Sequence, residues 1–178
     1  MAVIPNPRTW GATEGVTAAK LNADIRDALN FYLAPPLARL RKSGTQSVPN
    51  NSVTAVTWDV EVIDRDGGHS NVTNPSRYTA QTAGWYHLRA GIVWSGSRNT
   101  GWQDLYFRKN GIGTTLQNRS VWVSHEDLFL NDSPHITEGY MSLGVGDYVE
   151  VVTIIQNSPA PVNITNNITS WEIRWVAA

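Results

Sequence analysis

Along the chain, apolar and polar positions repeat first with a helical period and then with a period of two. Ala18, Leu21, Ile25, Ala28 and Tyr32 recur three and four residues apart, and Leu29 and Leu33 widen the stripe. Thr17 stands before them as a candidate N-cap, and Pro35-Pro36 ends the run. The spacing predicts a helix over 17–33 whose seam is Ala18, Leu21, Ile25, Ala28 and Tyr32, the a/d pattern of a short coiled coil. Two heptads are too few to hold an isolated helix, so the seam calls for other copies of itself or a larger assembly. The alternative is that the helix folds back on the remainder of the chain. Residues 1–16 carry Pro5, Pro7, Gly11 and Gly15 around Trp10 and read as an extended arm or a disordered tail. Residues 37–44, with Arg39, Arg41 and Lys42 close together, predict one more helical turn with a solvated cationic face. Composition then shifts to Ser, Thr, Asn and Pro. This places a boundary near residue 45, with an arm and helix over 1–44 and a second domain over 45–178.

Beyond that boundary the period becomes two. Val56, Trp58, Val60 and Val62 alternate with polar residues, and Asp64 to Asn74 reads as a loop. Ala83-Gly84 marks a turn, after which Tyr86, Leu88, Ala90, Ile92 and Trp94 alternate with a mixed face of Trp85, His87, Arg89, Gly91 and Val93. A slip of one residue would drive His87 and Arg89 into the core, so this strand has a defined register. Leu105 and Phe107 alternate up to Asn110-Gly111, a hairpin signal. Weaker strands fall near 119–124 and 135–143. A turn at Gly144–Asp147 leads to a β-branched strand over 148–156, and a last alternating strand carries Trp171, Ile173 and Trp175. About eight to ten strands with no intervening helix predict an antiparallel sandwich or barrel.

Composition narrows the function. At 178 residues the chain suits one domain with an appendage. A net charge of −1, with 16% charged residues, gives no field for nucleic acid or an anionic membrane. No apolar run is long enough to span a bilayer, and no signal-peptide pattern opens the chain. The absence of Cys excludes disulfides and thiolate metal sites. Eight Trp against three Phe favour strands whose side chains meet water or a partner.

Candidate chemistry is sparse. No nucleophile elbow, phosphate loop or His-Glu-x-x-His motif occurs. Glu126 and Asp127 are adjacent, so on a strand they would point to opposite sides, a poor glycosidase pair. Asp64 and Asp66, with His69 in a glycine-containing loop, form a weak Ca²⁺ candidate. The later acidic ligands are missing and Pro75 stands at the twelfth loop position, so neither metal nor cofactor is expected. Trp102, Tyr106 and Trp122 are candidate surface aromatics, suited to a sugar ring or a subunit interface.

The run Tyr78-x5-Gly84-x-Tyr86-x-Leu88-x-Ala90 resembles the central motif of C1q/TNF-like jelly-roll domains, with Leu88 and Ala90 in place of the family's aromatics. Arg108-Lys-Asn-Gly111 and Leu143-x-x-Gly146-Asp147-Tyr-Val-Glu-Val resemble strand ends of its bacterial and phage members. At the other end, Thr9-Trp10 and Val16-Thr17-Ala18-Ala19-x-Leu21-Asn22-x-x-Ile25-Arg26-Asp27-x-Leu29 are similar to the N-terminal region of minor tail proteins of phages infecting actinobacteria. Together these resemblances imply a non-enzymatic homotrimeric virion protein, a tail or tail-fibre component synthesised in the host cytoplasm. Residues 1–44 would join other phage structural proteins, and a C1q-like antiparallel jelly roll would face host-surface glycan. A capsid head fibre or decoration protein is the alternative within virion structure. A carbohydrate-active depolymerase is the alternative from another class.

Overall fold

The computed structural model describes residues 4–6, 8–95, 102–112, 124–126, 134–156, 162–165 and 168–178. Thr17 caps the helical segment, its Oγ1 accepting the Lys20 N–H at 3.3 Å. Helix α1 (Ala18–Leu21) passes through a π-helical stretch at Asn22–Arg26 into α2 (Asp27–Leu33). Twelve strands follow among the described residues. They are β1 (Leu37–Arg41), β2 (Gln46–Val48), β3 (Thr54–Ala55), β4 (Val60–Asp64), β5 (Arg77–Thr79) and β6 (Gly84–Ser95). The remainder are β7 (Trp102–Lys109), β8 (Ser124–Glu126), β9 (Pro134–Leu143), β10 (Tyr148–Gln156), β11 (Val162–Ile164) and β12 (Ser170–Ala177).

All described ladders are antiparallel and form two sheets. One runs β2-β11-β6-β12-β1-β4 with β9 on the other edge of β6; the second runs β3-β10-β7-β8 with β5 also on β10. The chain crosses repeatedly from one sheet to the other, which makes the sandwich a jelly roll and bears out the antiparallel β architecture expected for it. Tyr86, Leu88, Ala90, Ile92 and Trp94 are buried on the inner face of β6 and meet Leu105, Phe107, Val149, Val151 and Ile155 of the opposite sheet. Each fully buried large side chain stabilises the fold by roughly 1.5–3 kcal/mol. Trp171 of β12 joins the layers, with ring centroids 5.7 Å from Trp58 and 6.5 Å from Phe107.

Two readings of the sequence are corrected here. Residues 37–41 are not a helical turn but a strand inside the larger sheet, paired with both β12 and β4. Ala38 and Leu40 point inward, Arg39 and Arg41 point outward, and Lys42 is buried with Nζ 3.1 Å from the Thr57 carbonyl oxygen. The first strand of the larger sheet is therefore Leu37–Arg41, which lies on the N-terminal side of the boundary placed near residue 45. The alternation from Val56 to Val62 also spans two elements. Val56 and Trp58 are fully buried, whereas Val60 and Val62 are exposed, because the chain passes from one sheet to the other between β3 and β4.

The helix-proximal end of the sandwich is closed around Gly84, whose φ is +145°. A Cβ there would lie 2.3 Å from Trp175 Nε1 and 2.4 Å from the Ala177 carbonyl oxygen. Without it, Trp175 lies against the backbone and donates its indole N–H to Ala83 O at 3.0 Å. Tyr86 secures the same turn, its hydroxyl donating to Thr82 O at 2.6 Å. Trp175 also receives the buried Phe31 of α2 edge-on, with centroids 4.7 Å apart, so one indole joins helix to head.

At the same end, Asn110-Gly111 forms the expected tight turn, with φ of +52° and +70°. Asp147 ties it to the Gly144–Asp147 turn by accepting from Asn110 Nδ2 at 2.8 Å and Gly144 N at 2.7 Å, beside Lys109 Nζ at 2.6 Å. The Lys109 ammonium, then the Asn110 amide and the Gly144 N–H, lower the Asp147 pKa to about 2.

Two outcomes are expected. Gly84→Ala should destabilise the fold by about 3 kcal/mol or more, through the clash and the strained backbone. Gly91→Ala, whose nearest neighbour would be Ile136 Cγ1 at 3.8 Å, should stay within about 1 kcal/mol of the parent in denaturant titration. The Asp147 clasp should contribute fully above the ordinary aspartate value of 3.8 and be lost as pH falls towards 2, since the folded chain holds this carboxylate ionised at lower pH than the unfolded chain does. Asp147→Asn should reduce stability near neutral pH and flatten its fall with acid, as followed by denaturation at stepped pH.

Candidate interaction surface

The outer face of the larger sheet follows from strand register. With Tyr86, Leu88 and Ala90 turned inward, Trp85, His87, Arg89 and Gly91 of β6 must face out. Their cross-strand partners complete rows across the sheet. One row is Leu37–Arg174–His87–Tyr140, the next Arg39–Glu172–Arg89–Glu138, and the third Arg41–Ser170–Gly91–Ile136. The middle row alternates in sign across four strands, the arrangement that stabilises neighbouring charges in a sheet.

Within these rows His87 Nε2 lies 2.8 Å from Glu138 Oε1, and its ring centroid is 5.0 Å from that of Tyr140. Arg89 Nε lies 3.5 Å from Glu138 Oε2. Four arginines (39, 41, 89 and 174) against two glutamates (138 and 172) make this face cationic in a chain whose net charge is −1.

Apolar side chains on the same face remain open to solvent: Trp85 is 48% exposed, Tyr140 61%, with Ile136 and Val176 comparable. The helix continues this tract. Tyr32, 72% exposed, lines a groove with Arg174, Trp175 and Val176, and Leu29 and Leu33 extend it along α2. Exposed large apolar side chains therefore stand both on α2 and on either side of the charged middle row, which makes this face a candidate interaction surface.

The residues singled out in the sequence divide. Of the helix seam, Leu21, Ile25 and Tyr32 are exposed large side chains, Ala18 is exposed and Ala28 half-buried, so the protomer itself does not cover the stripe. The helix is instead held by Phe31, outside the seam. Tyr106 is not a surface aromatic: it is 1% exposed within its own protomer. Trp102 is half-buried at the start of β7, and Trp122 lies outside the described residues. Asp64 and Asp66 do not converge as metal ligands. Asp64 accepts the N–H groups of Gly68 and His69, and Asp66 accepts the Tyr78 hydroxyl. His69, buried, sits between Glu61 Oε1 at 2.9 Å and Pro75 O at 3.2 Å. Among the described residues no group of three or more His, Cys, Asp or Glu could hold a metal ion.

Tyr140 and Ile136 were missed as surface residues. The inward phase set by Met141 and Leu143 carries the signal, since it turns 136, 138 and 140 outward.

Neither a protein-family model nor a curated protein matches the sequence. Among solved structures, murine APRIL at pH 8.5 is similar over 79% of this chain and 98% of that one, with a TM-score of 0.55 and 17% identity. Eiger TNF from S. frugiperda is similar over 80% of this chain and 94% of that one, with a TM-score of 0.53 and 12% identity. At such identities the likeness is one of fold: the chain carries a TNF/C1q-like jelly roll.

Proposed function

We propose that this chain is a non-enzymatic structural protein of a phage virion, a minor tail or tail-fibre component that assembles as a homotrimer. The arm and helix join the particle, and the jelly roll faces outward to meet glycan on the host surface. The observation that carries the assembly is the exposed tract running from Leu29, Tyr32 and Leu33 through Val176 to Trp85, Tyr140 and Ile136. A second copy is the occupant favoured by charge, because the middle row of Arg39, Glu172, Arg89 and Glu138 offers groups of both signs to another copy of the same chain. Three copies about a threefold axis would meet through heterologous contacts, which form a closed ring when the rotation between neighbours closes. The short helix supports the same reading, since among the described residues nothing buries its seam and gathered copies would supply a partner. The place in the virion rests on the likeness of Thr9–Leu29 to phage minor tail proteins. Against catalysis, Glu150 and Asp147 are each held by basic side chains.

In solution the chain should have three times its 19.7 kDa mass by light scattering. The pair Trp85→Ser and Tyr140→Arg should weaken association by about 2 kcal/mol or more, roughly thirty-fold, while leaving the fold intact. A parent protein that remains a single chain at micromolar concentration refutes the trimer. Removing residues 1–34, which spares β1, should leave a folded head that no longer joins particles. Assembly of that truncated head onto virions would overturn the anchor assignment.

A further inference from the structure

On the flank formed by β5 and the loop before it lies a polar pocket of about 270 Å³, with no part in the surface described above. Its floor is Gly67-Gly68, pressed against β5: a Cβ on Gly68 would lie 2.3 Å from the Tyr78 ring, and Thr79 N donates to Gly68 O at 2.7 Å. Its walls are Ser70, Thr73, Asn74, Arg77 and Gln81.

Arg77 gives the pocket its character. Glu150, with its side chain 4% exposed, is already neutralised by Arg108, whose Nε and guanidinium NH2 nitrogen reach Oε2 at 3.0 and 2.7 Å. Arg77 touches the other oxygen only through Nε, at 3.4 Å, and that oxygen also accepts the Ser76 hydroxyl at 3.0 Å. Two guanidinium groups therefore share one carboxylate, and Arg77 is the surplus cation at the pocket wall. Its carbon sits 4.0 Å above the centroid of the Tyr148 ring, so the guanidinium is held on one face and at Nε. Among the described residues its terminal nitrogens meet no acceptor, and a fixed fork of this kind suits a planar carboxylate. The other wall groups are hydroxyls and amides. Gln81 spends its Nε2 on Thr79 O, leaving its oxygen as an acceptor, and the Ser70 oxygen accepts the N–H of Thr73 while its own O–H can still donate. Asp64 and Asp66 of the same loop lie outside the pocket lining and accept from backbone N–H groups and from Tyr78.

We infer that this pocket binds the acidic residue of a polysaccharide, with the sugar carboxylate on Arg77 and ring hydroxyls on Ser70, Thr73, Asn74 and Gln81. The inference deepens the glycan part of the proposed function and uses nothing of its trimer. A cavity of this size holds one sugar ring, and a site with one cation among neutral hydrogen-bonding groups matches a ring with one carboxylate and several hydroxyls.

The test is an amide-resolved NMR titration of the full chain with glucuronic acid, glucose and inorganic phosphate. Glucuronate should bind saturably at about millimolar concentration, shift the resonances of 67–81, and bind at least tenfold more tightly than either control. Arg77→Gln should lose at least tenfold, Arg77→Lys should lose less, and Thr73→Val should weaken glucuronate while leaving phosphate unchanged. Arg108 still holds Glu150 in each variant, and unchanged resonances elsewhere verify the fold. Equal binding of glucose and glucuronate, or an Arg77→Gln protein that binds like the parent, overturns the carboxylate contact. Phosphate binding as tight as glucuronate reduces the pocket to a general anion site and overturns the sugar assignment. A trimer that ignores glucuronate refutes this pocket alone, whereas a monomer that binds it refutes the assembly alone.

Discussion

The arrangement depends on the approach of the Trp175 indole to the backbone at Gly84. Only a residue without a Cβ leaves room for the ring, and only with the ring in place does Ala83 O find its donor. That contact closes one end of the sandwich, where β6 starts and β12 finishes. It also supplies the surface on which Phe31 rests, so the orientation of the helix follows from the same missing methyl group. Because β6 starts there, its register against β9 and β12 is set from this point, and the composition of the outer rows follows from it. A turn glycine thus reaches the interaction surface through backbone geometry.

Much of this was legible in the residues and some was not, for identifiable reasons. Tyr86 to Trp94 alternate so regularly that both faces of β6 could be assigned, and Asn110-Gly111 formed the tight turn that its dipeptide predicts. The first strand reads as a helical turn because Leu-Ala-Arg-Leu-Arg is too short to separate the two, and its two arginines with the following Lys42 obscure its period of two. Burial on the outer side of the smaller sheet was also hidden. Tyr106, Glu150 and Val152 face away from the central core cluster yet are almost fully buried, and alternation alone cannot tell such a covered face from a solvated one. Arg77 had no signal of its own, since its surplus charge appears only when β5, β7 and β10 bring it beside Arg108 and Glu150.

The helix illustrates a division between attachment and association. Phe31 is the residue that the head buries, whereas the seam of Leu21, Ile25 and Tyr32 stays in contact with water. A helix this short is marginal without tertiary contacts, and one aromatic contact fixes only its C-terminal turn. Gathering copies would stabilise its remaining turns, and the same copies would cover Trp85 and Tyr140, because Tyr32 and the sheet face share one groove with Val176. In the proposed assembly, helix order and head association would then be a single cooperative event, with neither surface strong alone.

The two sheets consequently have different duties. The larger one presents aromatic and aliphatic side chains in rows with alternating charge, a surface whose apolar area favours association and whose charges select the partner. The smaller one carries the Arg77 pocket on β5 and the loop before it, apart from the outer rows of the larger sheet. Each copy added to an assembly then adds one more pocket. Millimolar affinity at a single sugar becomes useful when several pockets engage one polymer, because the later contacts are made at the effective concentration set by the first. Under the proposed assembly, weak binding at Arg77 and association through the outer rows would therefore complement one another.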